Sequence, residues 1–142
     1  MGIRFKCGAM TPLPPDENVL YIQSKFRAVT GTSLPSYKIY FNLPPAWALS
    51  LYITNRRCLI VTRLFGVFTQ EMDLWYPACK PAADSEYIIS IACVKGLFGK
   101  CLEIRSFDPL RPKTWLCSKK MTLRFFLNNA EHLESIIRSV FK

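Results

Sequence analysis

The chain has 142 residues, of which 50% are hydrophobic and 20% charged, and its formal net charge is +9. This length fits one domain, and the composition excludes a disordered tail and makes a disulfide framework unnecessary. The low glycine content (6) and the 13% of aromatic residues favour a sheet.

The first 16 residues are predicted to form an irregular arm before a single domain over residues 17–142, because prolines stand at positions 12, 14 and 15. The apolar stretch that a secretory signal needs is absent here, and Lys6 stands where a myristoylation site has Ser or Thr. The longest apolar patch, around residues 47–53, is far below the roughly 18 residues of a membrane span. We expect a cytoplasmic protein, with peripheral membrane association as an option.

Alternating apolar and polar residues predict a strand over residues 19–28 and another over residues 37–41, which ends before Pro44-Pro45. A three-stranded antiparallel meander follows, because two turn signals, Asn55-Arg56 and Gly66, separate three apolar runs. The runs cover residues 51–54, 58–65 and 67–74.

In the third run of the meander, Met72 and Leu74 alternate with Glu71 and Asp73, so one face is expected to be buried and the other exposed to water.

The second half of the chain is predicted to add three or four strands. Residues 86–94 are rich in isoleucine, and the two glycines of residues 95–100 fit a hairpin that leads back into a strand. The remaining strands are predicted over residues 101–107, 114–117 and 121–127.

The last segment has a helical period. Leu133, Ile137 and Val140 recur at three- and four-residue spacing, and Asn128 and Glu131 have the spacing of a capping box. The sequence therefore predicts an α+β, mainly β fold: an antiparallel bent sheet or partly open barrel of six to seven strands, capped by one C-terminal amphipathic helix.

Three stretches resemble the GRAM and bacterial pleckstrin-homology-like domains. Residues 51–57, LYITNRR, are similar to the core motif of these domains. Residues 17–20 are similar to the segment that opens them, and residues 97–99 and 126–137 are similar to their closing hairpin and helix. The glycine often found before the core motif is absent. The resemblance implies a seven-stranded bent sheet with a C-terminal helix, but it does not fix a function, because this fold hosts phosphoinositide binders, peptide binders and modules without a known ligand.

The basic residues are unevenly distributed, since residues 18–70 contain no Asp or Glu. Such asymmetry favours a polyanionic partner. Guanidinium groups pair bidentately with phosphate, so the basic residues of this half are candidate contacts for an anion or a lipid. The alternative is that the Asn55-Arg56 turn only sets the geometry of the hairpin. The candidates are Lys25, Arg27, Lys38, Arg56 and Arg57.

The hairpin over residues 95–100 is a second candidate contact, for a membrane or a protein partner. Leu97 and Phe98 are flanked by Lys95 and Lys100. In such an arrangement the apolar pair inserts into a membrane or a groove of the partner, and the lysines contact anionic groups. The alternative is that Phe98 packs back onto the sheet.

Catalytic and metal-binding patterns are missing. The six cysteines form no C-x-x-C pair, the only histidine is His132, and no nucleotide-binding or hydrolase motif occurs. We expect a non-enzymatic binding module without cofactor or metal, for an anionic lipid or a protein partner. Single-stranded nucleic acid, bound by the basic and aromatic first half, is one alternative, and a scaffold without a small ligand is another.

Overall fold

The computed structural model of the protein describes residues 3–8, 10–33, 38–42, 49–64, 68–96, 99–110 and 119–141. Within these ranges the protein is mainly β with one C-terminal helix, as the sequence predicts. The elements are β1 (Ile3–Cys7), β2 (Val19–Ser24), β3 (Arg27–Ser33), β4 (Lys38–Asn42), β5 (Leu49–Thr54), β6 (Arg57–Leu64), β7 (Phe68–Trp75), a 3-10 helix (Pro77–Cys79), β8 (Tyr87–Gly96), β9 (Gly99–Phe107), β10 (Lys120–Phe126) and α1 (Ala130–Val140).

The ten strands form one sheet in the order β2-β5-β6-β7-β8-β9-β10-β3-β4, with β1 attached to β7. This order has two ends, so the sheet is open rather than a closed barrel. The described pairings are antiparallel except that of β7 with β8, which is parallel and consists of the single pair Trp75↔Tyr87. The predicted meander is confirmed in β5, β6 and β7.

The predicted single strand over residues 19–28 is wrong, because the chain turns at Lys25 and Phe26. β2 pairs with β5, whereas β3 pairs with both β4 and β10. Lys25 has a φ of 59° and is the non-glycine residue with a positive φ in the described part of the chain. This corner is one reason why ten strands are found where six to seven were predicted.

The prediction of an irregular arm over residues 1–16 also needs correction. β1 pairs antiparallel with β7 from Ile3↔Met72 to Cys7↔Phe68, so the start of the chain belongs to the sheet. The prolines that suggested irregular structure all lie after this strand. The edge of β7 is open to β1 because β8 leaves β7 after one residue pair.

The face of the meander that carries Glu71 and Asp73 was expected to be exposed and is buried instead. Glu71 is 1% exposed and Asp73 7%, and Leu59 on the same face is 1% exposed. Residues before β2 contact this face: the Thr11 N–H donates a hydrogen bond to Glu71 Oε1 at 2.6 Å, and Glu17 accepts one from Arg57. The opposite face packs into the main core, as predicted.

The predicted helix is confirmed, and Leu133 and Ile137 are both 0% exposed against the core. The predicted capping box is wrong. The residue before the helix is Asn129, whose side chain donates hydrogen bonds to the Tyr21 hydroxyl at 3.2 Å and to Gln23 Oε1 at 3.1 Å. The helix start is thus tied to β2.

The strand predicted over residues 114–117 lies outside the described residues. Among the residues that are described, none belongs to a helix long and apolar enough to cross a membrane.

Candidate functional site

Arg57 lies in a buried ion-pair cluster beside the β5–β6 turn. Its Nε donates a hydrogen bond to Glu17 Oε2 at 2.9 Å, its second donor reaches Asp73 Oδ1 at 2.6 Å, and its guanidinium carbon lies 4.7 Å from the centroid of the Trp75 ring. The side chain is only 7% exposed. Two carboxylates and an indole therefore contact the Arg57 guanidinium, which the sequence had indicated as a contact for an external phosphate. Arg57 instead stabilises the packing of the turn.

The turn itself depends on Thr54, whose hydroxyl oxygen accepts hydrogen bonds from the backbone N–H groups of Arg56 at 3.1 Å and Arg57 at 3.0 Å. The same hydroxyl donates to Glu17 Oε2 at 2.8 Å. Sequence analysis located this turn correctly but missed the role of Glu17, which is distant in sequence.

Arg56 is partly exposed, with 42% of its side chain accessible. It forms an ion pair with Asp16, whose side chain is 62% exposed. Exposed pairs of this kind are worth about 0–1 kcal/mol, so Arg56 can exchange Asp16 for another anion at little cost. Of Lys38, only the backbone is described, at the start of β4.

The other candidate residues of the first half, Lys25 and Arg27, are both exposed and flank the corner between β2 and β3. The Lys25 N–H donates a hydrogen bond to the Leu49 carbonyl at 3.1 Å, and Leu49 pairs with Thr62 of β6. Lys25 is therefore about two strand spacings, or roughly 10 Å, from the end of β6.

Arg63 and Phe68 occupy that end of β6 and the start of β7, and both are exposed, Phe68 by 51%. The sequence did not indicate either residue as a contact. The strand register places Arg63 about two strand spacings from Lys25 and Phe68 about three, and no local pattern in the sequence reports a register.

The β8–β9 hairpin reaches the same corner from the other half of the sheet. Arg27 pairs with Phe126, Phe126 with Cys101, and Cys101 with Val94. Lys95 and Lys100 form the next cross-strand pair. By this register Arg27 and the Lys95–Lys100 pair lie at the same end of their strands, and about three strand spacings, or roughly 15 Å, separate Arg27 from β8. Leu97 and Phe98 lie outside the described residues.

We call the exposed residues at this position the basic corner: Lys25, Arg27, Arg63, Phe68 and Lys95. Lys100 adjoins it but pairs with Glu131 at 3.0 Å. The hydrogen bond and charge of Lys100 lower the pKa of the Glu131 carboxyl below its usual value.

Acidic side chains on the strands near the basic corner are buried and engaged. Glu71 is held by Thr11, and Glu103 accepts hydrogen bonds from Arg105 at 3.1 Å and from Arg124 at 2.9 Å. Glu103 is thus paired with two arginines, whereas the exposed Glu131 of α1 pairs with Lys100 and also lies close enough to Lys95 for that charge to lower its pKa.

A cleft of about 630 Å³ lies at the other end of β2, beside the Asn55-Arg56 turn. From the first to the last residue of β2, a strand of six residues extends roughly 20 Å, so the cleft is well separated from the basic corner. Its lining comes from the arm, the turn, the end of β7 and the loop after it: Pro14, Glu17, Asn55, Arg56, Trp75, Ala78, Cys79, Lys80 and Pro81.

Two potentially reactive groups, Cys58 and Tyr76, are buried, whereas the Cys7 thiol is exposed. Burial raises the pKa of the Cys58 thiol to about 12, and burial also raises the pKa of Tyr76, whose hydroxyl donates to the Thr54 carbonyl at 2.8 Å. A thiol that stays protonated at neutral pH is a poor nucleophile. In the described part of the chain no group of three or more His, Cys, Asp or Glu side chains is arranged to hold a metal ion.

Comparison with known proteins adds no relative: no protein-family model matches the chain, and neither does any curated protein or solved structure.

Proposed function

We propose that the protein is a non-enzymatic binding module of pleckstrin-homology-like architecture whose basic corner binds the acidic surface of a membrane. The proposal concerns both the fold relationship and the ligand, and different observations support each of them.

The strand connections support the pleckstrin-homology-like architecture. β2 and β3 are the two halves of one strand bent at Lys25: the first half pairs with β5, and the second half pairs with the last strand, β10. The single pair between β7 and β8 divides the strand order into two parts. A helix follows β10, as in the resemblance stated above.

The conformation of Lys25 carries the functional proposal. A left-handed backbone costs an L-residue about 1–2 kcal/mol, and glycine is the usual residue there. Lysine occupies this corner at a φ of 59° with an exposed side chain. Residues held in unfavourable backbone regions cluster at functional sites, and the charge of this side chain is a reason to retain it.

The neighbours of Lys25 favour a membrane over other polyanions. A basic residue close to an anionic bilayer contributes about 1 kcal/mol, and an exposed aromatic ring anchors a protein at the interface. Arg27, Arg63 and Lys95 supply such charges, and Phe68 supplies an aromatic ring that is 51% exposed.

The proposal is tested by co-sedimentation with vesicles of phosphatidylcholine, with and without phosphatidylserine. The wild type is expected to pellet with the acidic vesicles only. Lys25→Gln/Arg27→Gln is expected to weaken this binding about tenfold or more, because two charges at about 1 kcal/mol each are removed from the contact.

The matched control is Arg56→Gln/Arg105→Gln, which removes the same number of charges from exposed positions outside the basic corner. At about 0.15 M salt it is expected to retain the binding of the wild type. Equal losses in the two variants at that salt concentration would contradict the basic corner as the contact. A gel shift with a single-stranded oligonucleotide, without vesicle binding, would replace the lipid proposal by the nucleic-acid alternative.

A further inference from the structure

β2 is an edge strand without the residues that usually protect an edge. It stands at one end of the strand order, and no strand in the described ranges pairs with its outer side. Sheet edges usually carry charged residues, above all lysine, or proline, because these discourage pairing with other chains. β1 and β4 also lie at edges and follow this rule, since β1 contains Arg4 and Lys6 and β4 begins with Lys38. β2 has the sequence VLYIQS, which contains neither a charged residue nor proline.

The apolar side chains of this edge are in contact with water. Val19, Leu20 and Ile22 are all exposed, Ile22 by 51%. Ile22 shares a face of the sheet with its cross-strand partner Tyr52, which is itself only half-buried. A further strand alongside β2 would remove part of this apolar surface from water, which is favourable.

The hydrogen bonds to β5 show which backbone groups of β2 remain open. The Lys25 N–H donates to the Leu49 carbonyl at 3.1 Å. In an antiparallel pair, alternate residues direct their N–H and C=O groups to the same neighbouring strand. Lys25 and Gln23 therefore face β5, whereas Ile22 and Ser24 direct their backbone groups outward.

We infer that β2 pairs antiparallel with β2 of a second copy of the chain. A two-fold axis beside Gln23 places Ile22 of each copy opposite Ser24 of the other, so that the four outward N–H and C=O groups of each edge all find partners. The β-bulge between Val19 and Tyr21 limits the ladder to this segment. Because so short a ladder buries little area, the dimer is a weak one.

The charges at the two ends of β2 favour this antiparallel arrangement. Its last residue adjoins the basic corner. Around its first residue, three carboxylates stand against two guanidinium groups, namely Asp16, Glu17 and Asp73 against Arg56 and Arg57. Antiparallel pairing directs each cationic end towards the acidic end of the other copy, whereas parallel pairing would place two cationic ends side by side. The contact itself is made by the backbone of β2, so it does not depend on the function proposed for the basic corner.

The test is sedimentation equilibrium of the full chain between about 10 µM and about 1 mM, at about 0.15 M salt. We expect a reversible equilibrium between monomer and dimer. Ile22→Lys is expected to weaken the dimer about tenfold, because apolar contact is lost and two ammonium groups come close to each other across the strand pair. Ile89→Lys is the matched control. Ile89 is also exposed, by 43%, but lies on β8, so this variant is expected to dimerise like the wild type.

Hydrogen exchange of the wild type reports on the strand pair without any substitution. The amides of Ile22 and Ser24 are expected to become protected as the protein concentration rises, because they donate to the second copy. The amide of Gln23 faces β5 at every concentration, so its exchange should not change.

Four outcomes would overturn the inference. Three of them are a chain that stays monomeric at the highest concentration, equal weakening by Ile22→Lys and Ile89→Lys, and exchange at Ile22 and Ser24 that does not depend on concentration. The fourth is an assembly that grows beyond a dimer, because it requires head-to-tail pairing of β2 with a different edge, such as β4.

Discussion

Arg56 and Arg57 are neighbours in sequence, yet their side chains have different roles. Arg57 is 7% exposed and lies between Glu17 and Asp73, whereas Arg56 is 42% exposed and pairs with an exposed carboxylate. Removal of one partner from a buried ion pair leaves uncompensated charge, and it typically costs about 3–5 kcal/mol, against about 0–1 kcal/mol for an exposed pair.

We therefore predict that Arg57→Met lowers the free energy of unfolding by about 3–5 kcal/mol. Arg56→Met is the control, with an expected loss of about 0–1 kcal/mol. Urea denaturation followed by circular dichroism measures both. Similar losses in the two variants would mean that the buried cluster does not hold the turn.

The sequence predicts the turn at these two arginines but not which of them is buried. Alternation along β6 assigns Arg57 to the face of Leu59, and that face looks exposed as long as only the meander is considered. Thr11 and Glu17 contact this face, and the contact between Glu17 and Arg57 joins residues 40 apart in sequence. No local pattern contains that information.

At the scale of single elements, the corner between β2 and β3 combines backbone strain with function. Lys25→Gly is predicted to leave stability unchanged or to raise it by up to about 1 kcal/mol, because glycine adopts a positive φ without steric cost. The same change is predicted to weaken binding to acidic vesicles, because the charge is lost.

Lys25→Ala separates the two effects, since it removes the charge but retains a side chain at the strained position. Thermal unfolding and vesicle co-sedimentation are measured on both variants. A stability of Lys25→Gly well below that of Lys25→Ala would argue against strain at this corner.

β1 is a second element whose contribution can be isolated. It is the strand partner of β7 from Phe68 to Met72, because β8 pairs with β7 only at Trp75. Deletion of residues 1–7 is predicted to expose that edge while leaving the β6–β7 pairing intact. Hydrogen exchange should become faster at β7 amides that face β1, and amides of β9, which does not pair with β1, serve as the internal control. Unchanged exchange along β7 would show that β1 is not needed to protect this edge.

At the scale of the whole molecule, strands with clear alternation or flanking turns were predictable, namely β4 to β10, together with the helix. The order of the strands was not. β2 and β3 are adjacent in sequence but belong to opposite parts of the strand order, because a single residue at a positive φ redirects the chain. Lysine gives no local signal for such a turn, whereas glycine would have given one. For the same reason the sequence identified Lys25, Arg27 and Lys95 as candidates without predicting that they lie at the same end of the paired strands.

The charge of the whole molecule provides the sharpest test of where a membrane binds. Lys25→Gln/Arg27→Gln and Arg56→Gln/Arg105→Gln each remove two positive charges from a total of +9, leaving 9 − 2 = +7. The Debye length is about 30 Å at 0.01 M salt and about 8 Å at 0.15 M. β2 separates Arg56 from the basic corner by roughly 20 Å.

At 0.01 M salt a membrane at the corner therefore attracts all four positions, and both variants should lose affinity for acidic vesicles. At 0.15 M the charge of Arg56 is screened, so only Lys25→Gln/Arg27→Gln should remain weaker than the wild type. Losses that stay equal at both salt concentrations would mean that the net charge, rather than the basic corner, drives binding.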